Sequence, residues 1–179
     1  MHRTLLTRPD LIDQYARLHS ERKGYGSSSE RQCGFIQIAV GSLGTISSIL
    51  DYGCGRSRLV DWLAKINDAT PFRYDPAIPE YATLQRAKFD LIVNTDVLEH
   101  IPSEDLPVIL NHIASLSSNV YFNIATAPAS AVLPNGENAH ATVRPAEWWC
   151  DLLSSHFSVV RQVAAWRSQR CSFVTWKGQ

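Results

Sequence analysis

The segment Ile49-Leu-Asp-Tyr-Gly-Cys-Gly55 constrains this chain more than any other. An apolar run ends there in an acid and a glycine-spaced turn, and Leu59, Trp62, Leu63 and Ile66 follow at helical spacing. That order predicts a buried strand feeding directly into a helix N-terminus. Gly53 and Gly55 accept positive φ and close backbone approach, while the helix start leaves N–H donors open to a polar ligand. Asp75 closes the next predicted strand, where a carboxylate can accept ribose hydroxyls.

The rest of the chain continues the alternation. Helical spacing is read at 10–18, 32–40, 104–116 and 145–155, with Pro145 in the first turn of the last. Strand-like runs are read at 46–52, 71–75, 89–94, 120–125, 158–166 and 171–176. Such alternation predicts an α/β fold, a parallel sheet with helices on both faces. The last two runs are expected to form an antiparallel pair at the sheet edge. Only 13 residues, 76–88, separate the second and third runs. A full helix-plus-strand crossover takes more, so one crossover is predicted to be truncated and one strand missing or vestigial.

With 179 residues the chain has the length of about one domain. Residues 1–31 are expected to form an N-terminal helix and a mobile, lid-like segment around Tyr25-Gly26, and residues 32–179 the main domain. A tail that touches nothing is the alternative for that segment. Its Arg22, Lys23 and Arg31 read as a solvated basic cluster. The 17 basic and 17 acidic residues cancel. A neutral chain lacks the field that drives binding to phosphate backbones or anionic membranes. No segment is apolar enough for a signal or a bilayer span, and the four cysteines form no C-x-x-C pair. These features predict a cytoplasmic protein with free thiols and no membrane insertion.

On Asp51-Tyr-Gly-Cys-Gly55, Tyr74-Asp75-Pro76 and Phe89-Asp-Leu-Ile-Val-Asn-Thr-Asp-Val-Leu-Glu-His-Ile-Pro102, the chain resembles the class I S-adenosylmethionine-dependent methyltransferases. The three motifs stand in the right order, each at a strand end, and the resemblance covers roughly residues 35 to 176. The resemblance implies a Rossmann-like methyltransferase sheet and S-adenosylmethionine as cofactor. The implied cofactor-binding residues are Asp51, Gly53, Cys54, Gly55, Asp75, Pro76, Asn94, Thr95 and Asp96. A nicotinamide-binding domain would need a third glycine where Arg58 stands. Val97 and Leu98 are expected to pack near the adenine or the sheet, with core packing the favoured reading for both.

Asp96, Glu99 and His100 fall at i, i+3 and i+4, on one face if a helical turn starts directly after the strand. With His140 they would make a set of metal ligands for Mg²⁺ or Mn²⁺. The arrangement resembles the E-x-x-E-H motif of the metal-dependent small-RNA 2′-O-methyltransferases and the related acids of ubiquinone-biosynthesis O-methyltransferases. Without a metal, His100 or His140 would serve as a general base, Asp96 completing the catalytic set. A purely structural role stays open. The loop 126–144 and the helix carrying Trp148 and Trp149 are expected to face the acceptor, with one of these tryptophans in the core. An Asn/Asp-Pro-Pro-aromatic clamp for a flipped base is absent. The expected acceptor is therefore a small or carbohydrate-like molecule, methylated on oxygen or nitrogen. The rival readings are a non-catalytic cofactor- or partner-binding module and a methyltransferase of nucleic-acid ends.

Overall fold

The computed structural model describes residues 9–178, Lys23 apart. Residues 1–8 of the expected N-terminal segment, and Lys23 of its basic cluster, lie outside the described residues. The helices are α1 (Pro9–Glu21), α2 (Cys33–Val40), α3 (Leu59–Asn67), α4 (Leu106–Leu116) and α5 (Ala146–Ser154). The strands are β1 (Ser48–Tyr52), β2 (Thr70–Tyr74), β3 (Leu91–Thr95), β4 (Val120–Ala125), β5 (Arg161–Val163) and β6 (Arg170–Val174). Short 3₁₀ turns sit at Ser28–Gln32, Pro79–Tyr81 and Leu98–His100.

The six strands form one sheet in the order β2-β1-β3-β4-β6-β5. Strands β1 to β4 are parallel, while β6 runs antiparallel to both β4 and β5. The C-terminal antiparallel pair is as expected. Among the described residues only the turn Pro79–Tyr81 lies between β2 and β3. No strand was built from that short stretch, so β2 is an edge, and Pro71 within it removes a donor that an edge strand can spare.

Strands β1, β3 and β4 are buried along their whole length, because helices cover both faces. Leu50, Ile92, Phe122 and Phe173 point to the side of α4 and α5, where Ile109, Ile113, Trp149 and Leu153 meet them. Ile49, Leu91, Val93, Tyr121 and Val174 point to the opposite side, against Ile36, Val40, Leu59 and Leu63. The inward face of α3 is Leu59, Val60, Leu63 and Ala64, and its Trp62 and Ile66 are exposed. Trp149 is the core tryptophan of its pair; Trp148 is half-buried. Pro145 caps α5 from outside in an extended conformation instead of forming its first turn. Leu11, Tyr15 and Leu18 of α1 pack with Leu133 and Ala139 of the long loop after β4. This satellite cluster holds α1 over the carboxyl edge of the sheet.

Candidate active site

The parallel strands deliver their C-terminal ends to one edge. Gly53, directly after β1, has φ of 81° and donates its N–H to Tyr74 O at 2.7 Å. A Cβ there would lie 2.4 Å from Val97 Cγ2, so only glycine fits beneath that side chain. Gly55, with φ of 52°, donates its N–H to Asp75 Oδ2 at 2.9 Å, and Ala77 donates to Asp75 Oδ1 at 2.9 Å. The glycine turn and the carboxylate are thus neighbours, and each carboxylate oxygen keeps a second lone pair. A Cβ on Gly55 would come within 3.0 Å of Gly26 O. The N-terminal segment is therefore laid on the turn, and the close approach that Gly55 permits is made to it.

Asp51, Cys54 and Asn94 stand behind this surface, fully buried. Burial pushes the Asp51 carboxyl up to about 7, against the pull of Arg73 beside it. Asn94 donates its side-chain N–H to Tyr52 O at 2.9 Å, tying β1 to β3.

At the far end the backbone departs from the expected helical turn. Asp96 has φ of 58°, and only the short 3₁₀ turn Leu98–His100 follows. Asp96, Glu99 and His100 therefore do not share a helix face. Asp96 forms an ion pair with Arg170 of β6 and accepts a long hydrogen bond, 3.4 Å, from Gln32 Nε2. Glu99 turns inward and is inaccessible; Ala125 N–H donates to its Oε1 at 2.9 Å, and its Oε2 has no hydrogen-bond partner. Burial pushes its carboxyl up to about 7.

His100 Nδ1 lies 2.7 Å from Ala139 O and 3.0 Å from the Tyr15 hydroxyl, which itself donates to Ala139 O at 2.7 Å. His140 Nδ1 lies 2.6 Å from Ala127 O. A carbonyl only accepts, so both rings carry their proton on Nδ1 and leave Nε2 as a lone-pair donor. The rings meet edge to face with centroids 4.9 Å apart. Burial, and then the neighbouring His140, push His100 down to about 4, and burial also lowers His140. Both imidazoles are neutral at pH 7. One ligating atom each of Glu99, His100 and His140 lies within 4.8 Å of the others. Asp96 stands outside that group, which corrects the four-ligand expectation: its positive φ and Arg170 direct it elsewhere.

A single cleft of about 660 Å³ joins the two ends. Of the sequence-predicted residues, Gly53, Gly55, Asp75, Pro76, Thr95, Asp96, His100 and His140 line it, as does Val97; Asp51, Cys54, Asn94 and Glu99 do not. Tyr25 and Gly26 line it too, so the N-terminal segment is in contact with the site. Sequence reasoning missed Tyr15, His19 and Arg170, which also face the cleft. Leu11, Tyr15 and His19 recur every four residues along α1, a spacing that marks one helix face and could have flagged the pair. Arg170 carried no local signal.

A parallel sheet that presents a glycine turn and a strand-end carboxylate to one cleft, with an antiparallel C-terminal pair, defines a class I S-adenosylmethionine-dependent methyltransferase. The family model described as a methyltransferase domain matches residues 9–168, and the chain belongs to that family. Solved structures agree on the fold. An O-methyltransferase family protein from Burkholderia thailandensis is 12% identical, with TM-score 0.61 over 84% of this chain and 57% of its own length. The 1,6-didemethyltoxoflavin-N1-methyltransferase of the same organism, solved with its substrate and S-adenosylhomocysteine, is 15% identical, with TM-score 0.60 over 91% and 85%. The N-methyltransferase NodS from Bradyrhizobium japonicum WM9, solved with S-adenosylhomocysteine, is 16% identical, with TM-score 0.59 over 94% and 100%. The chain thus spans little more than half of the first of these. No curated protein matches it by sequence. Among the described residues no helix is long and apolar enough to cross a membrane.

Proposed function

We propose that the chain moves a methyl group from S-adenosylmethionine to an oxygen or nitrogen of a small-molecule or carbohydrate-like acceptor, with His140 and His100 at the acceptor end. The observation that carries this reading is the continuity of the cleft from Gly53, Gly55 and Asp75 to the two imidazoles. Its volume suits ligands of that size. The residues fit the cofactor: Asp75, Pro76 and Thr95 line one wall, and the lone pairs left on Asp75 suit ribose hydroxyls. When bound, S-adenosylmethionine supplies a methyl group activated by a sulfonium.

The rest falls to the chain's own groups. The cleft walls align acceptor and donor, which is the main requirement of an in-line displacement. His140 accepts the acceptor's proton at Nε2, because Ala127 O holds its Nδ1–H. His100, pushed further down and held by Ala139 O and Tyr15, orients His140 and lends a second neutral ring. Residues 127–131 and 167–170 also line the cleft and on this reading would contact the acceptor. A structural neighbour solved with 1,6-didemethyltoxoflavin bound supports a small-molecule acceptor. The four free cysteines suit a reducing compartment such as the cytoplasm.

Calorimetric titration with S-adenosylhomocysteine tests the cofactor, with micromolar binding expected; no binding overturns the reading. A panel of small hydroxyl and amine acceptors, sugars and short RNA ends then tests the chemistry. Turnover only on RNA ends would replace the small-molecule reading, and cofactor binding without any turnover would favour a binding module.

A second reading is favoured by the clustering of Glu99, His100 and His140, with Glu99 Oε2 left unpartnered. Both histidines also hand Nδ1–H to a backbone carbonyl, as metal-binding imidazoles do. On that reading the three residues would hold a divalent cation, which would supply Lewis acidity toward the acceptor hydroxyl. Two imidazoles and one carboxylate suit Mn²⁺ better than Mg²⁺, which prefers an all-oxygen shell. Turnover that survives exhaustive chelation, with no Mn²⁺ binding by calorimetry, overturns it.

A further inference from the structure

The turn between β5 and β6 brings to the cleft a charge for which the chemistry above has no task. Among the described residues that line the cleft, the carboxylates are Asp75 and Asp96 and the guanidinium groups are Arg167 and Arg170. Asp75 stands at the glycine turn, and Asp96 is matched by Arg170, which also lies 3.9 Å from Glu99 Oε1. Arg167 is exposed, and no described carboxylate pairs with it. The turn that carries it is fixed in place. Thr126 N–H donates to Gln169 O at 2.9 Å, and one residue further on Ala127 O holds His140 Nδ1. Arg167 therefore stands on the segment adjoining the imidazole pair. Its guanidinium carbon lies 4.6 Å from the Trp166 ring centroid, and that of Arg170 lies 5.8 Å from the same centroid. One indole thus gathers two guanidinium groups, and a stacked, planar fork loses less freedom when it grips a ligand. The other residues of this end, among them Leu11, Ala127 and Ala129, carry no charge, and both imidazoles are neutral. The histidine end therefore has a positive charge to spare and no free carboxylate. An anion finds a partner there, and a protonated amine finds only repulsion.

We propose that the acceptor carries an anionic group, a carboxylate or a phosphate, beside the hydroxyl that is methylated, and that Arg167 is the residue that recognises it. The inference rests on the methyltransferase reading and narrows its acceptor class. A guanidinium offers either anion two parallel N–H donors, which fixes orientation as well as affinity. Arg170 cannot take this part, because Asp96 already holds it. Binding the anion at Arg167 would hold the acceptor by its charged end, on the segment next to His140.

Calorimetry on the chain saturated with S-adenosylhomocysteine tests this, with probes built on one ring: benzoate, phenyl phosphate, neutral benzamide and cationic benzylamine. At least one of the anions should bind about tenfold more tightly than benzamide, and benzylamine should bind least. The tighter of the two anions tells carboxylate from phosphate. Arg167→Ala should remove the preference, and Arg167→Glu should reverse it in favour of benzylamine. Both variants should keep S-adenosylhomocysteine affinity within about twofold. Melting temperatures report whether each folds, and the exposed position of Arg167 predicts that both do. No binding of either anion, equal binding of benzamide, or a preference that survives in the folded variants overturns the proposal. So does a loss of S-adenosylhomocysteine affinity in Arg167→Ala, which places the guanidinium on the carboxylate of the cofactor's own tail. Failure of the wild-type chain to bind S-adenosylhomocysteine would overturn the cofactor reading itself, and this one with it.

Discussion

The two ends of the cleft are built by different means. At the end proposed for the nucleoside the groups are held by backbone at strand ends: two glycines at positive φ, and one carboxylate immobilised by the N–H groups of Gly55 and Ala77. At the histidine end the groups are side chains from three separate segments, the turn after β3, the loop after β4 and α1, converging on a buried carboxylate. The first end is set by geometry that a single Cβ destroys. The second is set by protonation states that burial has moved: Glu99 up to about 7, His100 down to about 4. Rigid backbone suits a constant ligand, and tunable side chains suit the proton that leaves the acceptor.

The largest expected effect breaks the histidine end alone. His140→Ala should lower kcat by about 10²–10⁴, the usual worth of a positioned base. S-adenosylhomocysteine should still bind within about twofold, since His140 touches nothing at the glycine turn. Steady-state kinetics and calorimetry on the same variant decide; equal losses in both would show that the ends are not separable.

Gly53→Ala attacks the other end. Its Cβ would meet Val97 Cγ2 at 2.4 Å, at a φ of 81° that L-residues avoid. Overpacking and left-handed strain together should cost about 2–4 kcal/mol of stability, read from urea unfolding. Adding Val97→Ala should return the packing share and leave the strain, about 1–2 kcal/mol. Because Val97 begins the turn that carries Glu99 and His100, the single variant should also lose activity beyond its loss of cofactor affinity.

That asymmetry also explains what could be read in advance. Strand, turn, helix start and the acid of the following strand are local features, and the short stretch 76–88 foretold the missing strand by length alone. The histidine end escaped because its determinants are not local. Asp96 adopts a left-handed conformation where helical continuation was expected, and this breaks the i, i+3, i+4 logic. What draws Asp96 away is Arg170, delivered by β6 threading between β4 and β5. Glu99, His100 and His140 do lie together, but the inward turn of Glu99 required knowing that Ala125 N–H awaited it.

A pH experiment sharpens the contrast. The folded chain keeps a proton on Glu99 up to about 7, against an ordinary 4.5, so it binds the extra proton between those values and stability falls as pH rises through them. His100 acts in reverse: the unfolded chain takes the proton below 6.5 and the folded one only near 4, so stability rises over that window. The slopes oppose each other in the wild type. Glu99→Gln removes the first, and its stability relative to wild type should improve by about 1–3 kcal/mol between pH 5 and pH 8. Urea midpoints at the two pH values report it; a relative loss over the same interval contradicts the assignment.

The smallest effect tests whether one helix serves both ends. Tyr15 and His19 lie one turn apart on α1, so a rigid α1 can present one side chain to each end of the cleft. Tyr15→Phe removes the hydroxyl that donates to Ala139 O and lies against His100 Nδ1, at a cost of about 0.5–1.5 kcal/mol. His100 keeps Ala139 O as its own partner, so the ring stays neutral and is held less firmly. We expect kcat to fall a few-fold with S-adenosylhomocysteine affinity unchanged, whereas His19→Ala, which removes the ring packed beside Gly55, should weaken that affinity and leave kcat at saturating cofactor nearly intact. If Tyr15→Phe weakens the cofactor as much as His19→Ala does, α1 acts only as a cover whose docking governs the whole cleft, and the division into two ends fails at the helix that spans them.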